Sequence, residues 1–207
     1  MKDPYQRTIN YYQLEAPAAA ATYESVDFGG VTDRVLRYIQ ERGRLLEVGC
    51  GSGRDAAYYL GRGFDVTATD ASAHMLSQAF RLHPDLEGHL VHHQLPNPLP
   101  FADGAFDVVT AMAVLMHLTA ADAETALGEL ARVTRPGGIV AYSVSTHRPN
   151  LDPEGFDPKG RYFICLNEDE WSALNSASGF LPVDSWPSRD LNGRVGVQWV
   201  TFVCRRG

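Results

Sequence analysis

The stretch RLLEVGCGSGRDAAYYL, residues 44–60, decides how this 207-residue chain reads. An apolar run leads into glycines at three alternate positions, Gly49, Gly51 and Gly53, and a helix-like segment through Ala56, Tyr59 and Leu60 follows. Glycine lets a backbone approach a ligand with no Cβ between them, and a helix starting there presents unpaired N–H groups. The turn reads as a ligand cradle between a buried strand and a helix, and the question is which ligand.

Outward from the turn, apolar runs of strand length alternate with amphipathic segments of helix length. That is the pattern of repeated β-α units on a mostly parallel sheet. Upstream, Val35, Leu36 and Ile39 share a face of a helix expected over 32–42 and stopped by Gly43. The first strand is Arg44 to Val48. Downstream come a strand FDVTATD (64–70), a helix holding Met75, Leu76 and Ala79 capped by Ser72, a weak strand HLVHH (89–93) and a strand AFDVVTAM (105–112). A helix over 121–134 sets Ala126, Leu127, Leu130 and Val133 on one stripe, and Pro136-Gly137-Gly138 is expected to end it before the strand IVAYSV (139–144). Asn167 and Glu170 make a capping box for a helix closing at Gly179. Strands near FLPVDSW (180–186) and VQWVTFVC (197–204), joined by a short polar link, suit an antiparallel pair. One domain is expected over 1–207, with a helical, tyrosine-bearing arm at 1–30.

Composition narrows the partners. A formal charge of −7 with no run of Lys or Arg leaves no electrostatic footprint for nucleic acid or an anionic membrane. Cys50, Cys165 and Cys204 are odd in number and far apart, which argues against a disulfide framework or a zinc site and fits a reducing cytoplasm. The N-terminus MKDPYQRTINYYQLEAP lacks the apolar core of a signal peptide, and the best apolar run, Val108 to Leu118, is too short to span a bilayer. These features predict a soluble cytoplasmic protein with neither nucleic acid nor membrane as partner, and a monomer or homodimer is expected.

The dinucleotide fingerprint G-x-G-x-x-G needs its third glycine at position 54, which is Arg54 here, so a nucleotide-linked oxidoreductase is disfavoured. Glu47, two residues before the first glycine, would repel a pyrophosphate and suits a ligand with a cationic end. Asp70 ends the second strand, where a carboxylate can accept from both hydroxyls of a ribose; its other reading is a cap for the next helix.

Glu47-Val48-Gly49-Cys50-Gly51-Ser52-Gly53 resembles the first motif, E/D-x-G-x-G-x-G, of the class I S-adenosylmethionine (SAM) dependent methyltransferases. The likeness continues through Asp70, FADGAFDVV and ELARVTRPGGIVAYSV, covers most of 30–145, and is closest to bacterial small-molecule enzymes reading GCGSGRDA, a group that includes the tellurite-resistance type. The resemblance implies an α/β, Rossmann-like doubly wound, mostly parallel seven-stranded sheet with one antiparallel C-terminal strand and helices on both faces. It implies SAM as cofactor, held by Glu47, Gly49, Cys50, Gly51, Gly53, Asp70, Ala71, Met75 and Gln94. Residues 1–30 become a lid bearing Tyr11, Tyr12 and Tyr23, with Tyr12 and Tyr23 as cofactor contacts, residues 31–145 the SAM-binding core, and residues 146–207 the substrate side and C-terminal strands. One departure stands out: after strand three the family carries an acidic residue for the adenine amino group, whereas HHQLPNPLPF offers Gln94, so either Gln94 or backbone reads adenine. Met75 either packs on the purine or is plain core.

Methyl transfer from a sulfonium is an in-line displacement that needs alignment and, for protonated acceptors, a base. The segment AMAVLMHL after strand four holds neither the N/D-P-P-Y/F of base methylation nor the carboxylates of metal-dependent catechol methylation, which favours metal-free work on a small molecule. His117 there is either a general base titrating near neutral pH or a structural residue, with Tyr11, Tyr12 and His147 as the fallback candidates. His89, His92 and His93 do not converge, because neighbours on a strand point to opposite faces. Gly160, Arg161, Tyr162 and Phe163, with Trp186, Arg189, Asp190 and Trp199, are expected near the acceptor. Arg161 either binds an anionic acceptor or pairs with Asp190. The competing function is a SAM-binding regulator or pseudo-enzyme without efficient turnover.

Overall fold

The computed structural model describes residues 4–26, 29–39, 42–188 and 190–207. Its centre is the strand β1 (Arg44–Val48), in which every residue after Arg44 is buried. Burial on both faces is what a central parallel strand requires and explains the continuous apolar run. Leu45 packs with Tyr59, Phe64, Val66 and Val108 on one face. Leu46 turns to the other and joins Val109, Leu127 and Leu130.

β1 pairs in parallel with β2 (Asp65–Asp70) on one side and β4 (Phe106–Met112) on the other. With β3 (Leu90–His92), β5 (Thr134–His147), β6 (Phe180–Ser188) and β7 (Gln198–Arg206) they form a seven-stranded sheet in the order β3-β2-β1-β4-β5-β7-β6. β7 runs antiparallel to both β5 and β6, so one strand alone is reversed, as expected. The strand order switches direction between β1 and β4, and in open α/β sheets the crevice beyond the carboxyl ends at such a point is where ligands bind.

Helices cover both faces. α4 (Arg54–Leu60) buries Ala56 and Tyr59 on the Leu45 side. On the other face α6 (Ala120–Val133) buries Ala126, Leu127, Leu130 and Val133, and α7 (Glu168–Ala177) buries Trp171 against Tyr142. Burying each Leu or Val there contributes about 1.5–3 kcal/mol. Capping follows the sequence: the side chains of Ser72, Thr119 and Asn167 accept from backbone N–H groups to open α5 (Ala73–Leu82), α6 and α7, and Asn167 and Glu170 complete the capping box. The N-terminal arm is a pair of helices, α1 (Pro4–Leu14) and α2 (Ala16–Glu24), the second begun by Pro17. Ala16, Ala19 and Ala20 of α2 pack on Met75 of α5.

Two boundaries differ from expectation. α3 runs over Gly29–Leu36 rather than 32–42; residues 37–39 leave the helix, and 40–41 lie outside the described residues. The Pro136-Gly137-Gly138 stretch does not separate α6 from a later strand, because β5 begins at Thr134 directly after the helix. The surplus residues are absorbed as an irregularity: Phe106 pairs with Thr134 and Val108 with Ile139, and Gly137 takes the φ of +74° that the kink needs.

Candidate active site

The carboxyl ends of β1, β2 and β4 bring the sequence-predicted residues to one cleft of about 580 Å³. At its floor is the glycine turn. Gly49 (φ +73°) and Cys50 donate their N–H groups to the Thr69 carbonyl at 2.7 and 2.8 Å, which hooks the turn over β2. Gly51 (φ +55°) donates to Asp70 Oδ2 at 2.9 Å. The glycines serve different purposes. A Cβ on Gly49 would fall 2.3 Å from Val114 Cγ2, so Gly49 lets the β4 exit interlock with the turn. A Cβ on Gly51 would enter the cleft 3.3 Å from the Tyr23 ring. Gly53 (φ +80°) starts α4 and does not line the cleft; its Cβ would collide with Ala79 at 2.9 Å. Close packing of α4 on α5 is thus one reason for glycine at position 53.

Charge at this end is negative. Glu47 is buried, one carboxylate oxygen taking the Ala56 backbone N–H while Oε2 has no partner among the described residues. Burial, with Asp55 and Asp70 adding to it, pushes the Glu47 carboxyl well above its ordinary range. Arg54 is engaged by Asp55 at 2.8 Å and by the Tyr23 carbonyl at 2.6 Å. An unpaired buried carboxylate oxygen beside a cleft is costly, and a cation supplied by a ligand relieves it.

Asp70 accepts from the backbone N–H of Gly51 and, through Oδ1 at 2.8 Å, of Ser72. It braces the turn before α5, but Ser72 is the N-cap, accepting from the Met75 N–H at 3.2 Å. Burial raises the Asp70 pKa and those two N–H groups oppose the rise. Ala71, Met75, Gln94 and the buried Cys50 also line the cleft, and burial pushes the Cys50 thiol up. Met75 is both lining and core.

The other end lies beyond β4. Leu115–His117 form a short 3-10 turn. His117 Nδ1 lies 2.7 Å from the Tyr162 carbonyl, so Nδ1 carries the proton and Nε2 presents a lone pair. Tyr12 Oη stands 3.4 Å from that Nε2 and 3.5 Å from Arg161 Nη1, a geometry in which Tyr12 donates to the imidazole and accepts from the guanidinium. Burial first, then Arg161 and Arg148, lower the His117 pKa to about 4, opposed by the bond to Tyr162. The expectation of a histidine titrating near neutral pH is therefore corrected: the imidazole stays neutral throughout the physiological range.

The arm lies across the cleft. Tyr5 reaches Asp122 and Thr119 at the start of α6, the Thr8 hydroxyl accepts from the Tyr162 N–H at 2.9 Å, and the Gln13 carbonyl accepts from His74 Nδ1 at 2.7 Å. Tyr11, Tyr12 and Tyr23 line its underside. Burial and the neighbouring Tyr12 push the Tyr23 phenol up.

Other expectations divide. Arg161, Phe163, Asp190 and Trp199 line the cleft. Arg161 pairs with Asp157 at 2.6 Å and not with Asp190, which instead binds Arg194 and, at 3.0 Å, the Trp199 indole N–H. Trp186 is away from the cleft, packed with Val35 and Ile139 beneath the Arg34 guanidinium, and Arg189 lies outside the described residues. His147 is exposed and does not line the cleft, whereas its neighbour Arg148 does and is 9% exposed. Sequence reasoning missed Arg148 and Lys159; the position of Arg148 at the exit of an apolar strand was the available signal. His89, His92 and His93 each meet a different backbone carbonyl, those of Val66, Ala71 and Asn97. Among the described residues no helix is long and apolar enough to cross a membrane.

Residues 46–142 match the family described as a methyltransferase domain. A malonyl-[acyl-carrier protein] O-methyltransferase of Pectobacterium atrosepticum is 36% identical over 103 residues, 48% of this chain and 38% of that protein. A demethylmenaquinone methyltransferase of Renibacterium salmoninarum is 36% identical over 110 residues, 53% of this chain and 44% of that one. The chain thus spans less than half the length of these relatives. The Burkholderia thailandensis 1,6-didemethyltoxoflavin-N1-methyltransferase, crystallised with its acceptor and S-adenosylhomocysteine, shares the fold at a TM-score of 0.79, with 20% identity over 100% of this chain and 91% of that one. Fold and matched segment define a class I methyltransferase domain. Residues 46–142, just under half of the chain, thus match a methyltransferase domain, and SAM is the cofactor of the family so matched.

Proposed function

We propose that this protein transfers the methyl group of SAM to a small-molecule acceptor. The observation that carries the proposal is the continuity of the cleft from the unpartnered Glu47 Oε2 and Asp70 to His117 and the basic side chains beyond it, under a roof of tyrosines. The residues fit the cofactor: an orphaned carboxylate oxygen suits its ammonium group, Asp70 keeps acceptor capacity for ribose hydroxyls beside two backbone N–H groups, and Gly51 leaves the backbone uncovered. When bound, SAM supplies an activated methyl group on a sulfonium.

The chain's own residues bind, align and exclude water. Glu47 holds the cationic end, Asp70 the ribose, Gln94 and Met75 the adenine side, with Gly49, Cys50, Gly51 and Ala71 forming the contact surface. Residues 1–30 act as the lid, with Tyr12 and Tyr23 over the cofactor, residues 31–145 as the cofactor-binding core, and 146–207 as the acceptor side. His117, neutral and backed by the Tyr162 carbonyl, accepts a hydrogen bond at Nε2 and orients Tyr12. Its low basicity suits an acceptor whose reacting atom has already lost its proton. The relatives above bear the names of acyl-carrier and quinone chemistry rather than of tellurite resistance.

Calorimetry with S-adenosylhomocysteine followed by an acceptor screen with isotope-labelled SAM tests this reading. One bound ligand and labelled product support it. Binding without label transfer would make the protein a SAM-binding regulator, and absence of binding would refute the cofactor site.

A further inference from the structure

The acceptor end of the cleft holds an arginine with no ion-pair partner among the described residues. Arg148 is 9% exposed, its Nη1 is buried with no hydrogen-bond partner among the described residues, and its guanidinium lies 3.8 Å from the centroid of the Phe163 ring. A buried cation is ordinarily paired, because leaving it unpaired in a poorly solvated site is costly. The two carboxylates that could neutralise it are committed elsewhere. Asp157 Oδ2 accepts from Arg161 Nε at 3.0 Å and Nη2 at 2.6 Å, and its Oδ1 takes the backbone N–H groups of Lys159 and Arg161. Asp190 is held by the side chain and backbone N–H of Arg194 and by the Trp199 indole.

Arg148, Lys159, Arg161 and Arg194 all line this end, so cations outnumber carboxylates there. Glu47, Asp55 and Asp70 reverse the balance at the glycine turn, where Arg54 is the opposing cation. The cleft is polarised, negative where a cationic cofactor would sit and positive where its acceptor would sit. Burial, with Arg194 and Arg161 nearby, brings the Arg148 pKa down to about 10, opposed by Asp157 and Tyr12.

Resting on the methyltransferase reading, we propose that the acceptor is an anion, and that its carboxylate or phosphate group is bound by the guanidinium of Arg148 on the Phe163 ring. Arginine's planar fork matches either oxyanion bidentately, and Phe163 fixes the plane of that fork. The neutral His117 at the same wall adds no competing charge.

The test uses the full chain with and without saturating S-adenosylhomocysteine, titrated calorimetrically with benzoate, phenyl phosphate and the uncharged benzamide. The wild type should bind at least one of the two anions roughly 10- to 100-fold more tightly than benzamide, and the preferred anion tells carboxylate from phosphate. R148Q should erase the preference and R148K should restore part of it. S-adenosylhomocysteine affinity should hold in both variants, and R148Q should melt no lower than wild type, since it removes an unpaired buried charge. Equal or undetectable binding of all three probes to the wild type, or an anion preference that survives in R148Q, overturns the proposal. A wild type that prefers the anions yet fails to bind S-adenosylhomocysteine supports the oxyanion site and refutes the methyltransferase reading instead.

Discussion

Replacing Glu47 by Gln separates ligand binding from stability, because the structure predicts opposite signs for the two. One Glu47 oxygen takes the Ala56 N–H and Oε2 has no partner among the described residues, so one charge-assisted hydrogen bond to the cofactor's ammonium group is at stake. Such a bond is worth about 1.5–3 kcal/mol, which corresponds to roughly 10- to 150-fold in affinity. Stability moves the other way. Burial raises the folded-state pKa of Glu47 above its unfolded value, so its contribution to folding is fully present below the unfolded pKa and is lost as pH rises through the folded one. Near neutral pH, E47Q without ligand should melt at or above the wild type, and the difference should vanish in acid. Calorimetric titration with S-adenosylhomocysteine and thermal melts at several pH values read both effects. An affinity within about threefold of wild type, below the scale of a single such bond, would refute the assignment of Glu47 to the cationic end of the ligand.

The other predictions follow from the same geometry. D70N keeps one acceptor for the Gly51 and Ser72 N–H groups but loses the charge, and should weaken S-adenosylhomocysteine binding by about 1–3 kcal/mol in calorimetry; unchanged binding with a sharp drop in melting temperature would make Asp70 purely a brace. G51V places a branched side chain at φ +55° against the Tyr23 ring and should both destabilise the fold by roughly 1–3 kcal/mol, seen in denaturant titration, and abolish ligand binding. The His117 pKa of about 4 lies below the unfolded value of 6.5, so its neutral form favours folding above pH 6.5, and that contribution, about 3 kcal/mol, is lost as pH falls through 4. Single-turnover rates should accordingly show no inflection from His117 between about pH 6 and 8; one that disappears in H117Q would show the imidazole to be more basic than its surroundings allow.

The fold was legible wherever local pattern and tertiary role agree. The apolar run before Gly49, the caps at Ser72 and Asn167 and the stripe of α6 each demanded one arrangement, and the β-α alternation with a reversed last strand assembled them. It failed at Pro136-Gly137-Gly138, where pairing with β4 pulled breaker residues into a strand, and at the end of α3, where Ile39 fits a helical face but lies outside the helix. The cofactor end was readable because its motif is contiguous. The acceptor end was not, because Arg148, Arg161 and Arg194 are far apart in sequence and their pairing is decided by which carboxylate the loops deliver. Asp157 and not Asp190 reaches Arg161, and Arg148 Nη1 is left without a partner among the described residues. The basicity of His117 was likewise set by Phe163, Arg148 and Arg161, none of which its local sequence discloses.

Methyl transfer from SAM to a small anionic acceptor leaves two products, the demethylated cofactor and the methylated acceptor. Incubation of the purified protein with methyl-labelled SAM and a small-molecule extract, followed by mass spectrometry of both products, tests it most directly. S-adenosylhomocysteine should form in stoichiometric amount with label incorporated into an acidic small molecule, both reduced roughly 10- to 150-fold in E47Q at sub-saturating SAM and the transfer strongly reduced in R148Q. Label appearing in a neutral acceptor with undiminished rate in R148Q, or no S-adenosylhomocysteine formed although SAM binds, would contradict it.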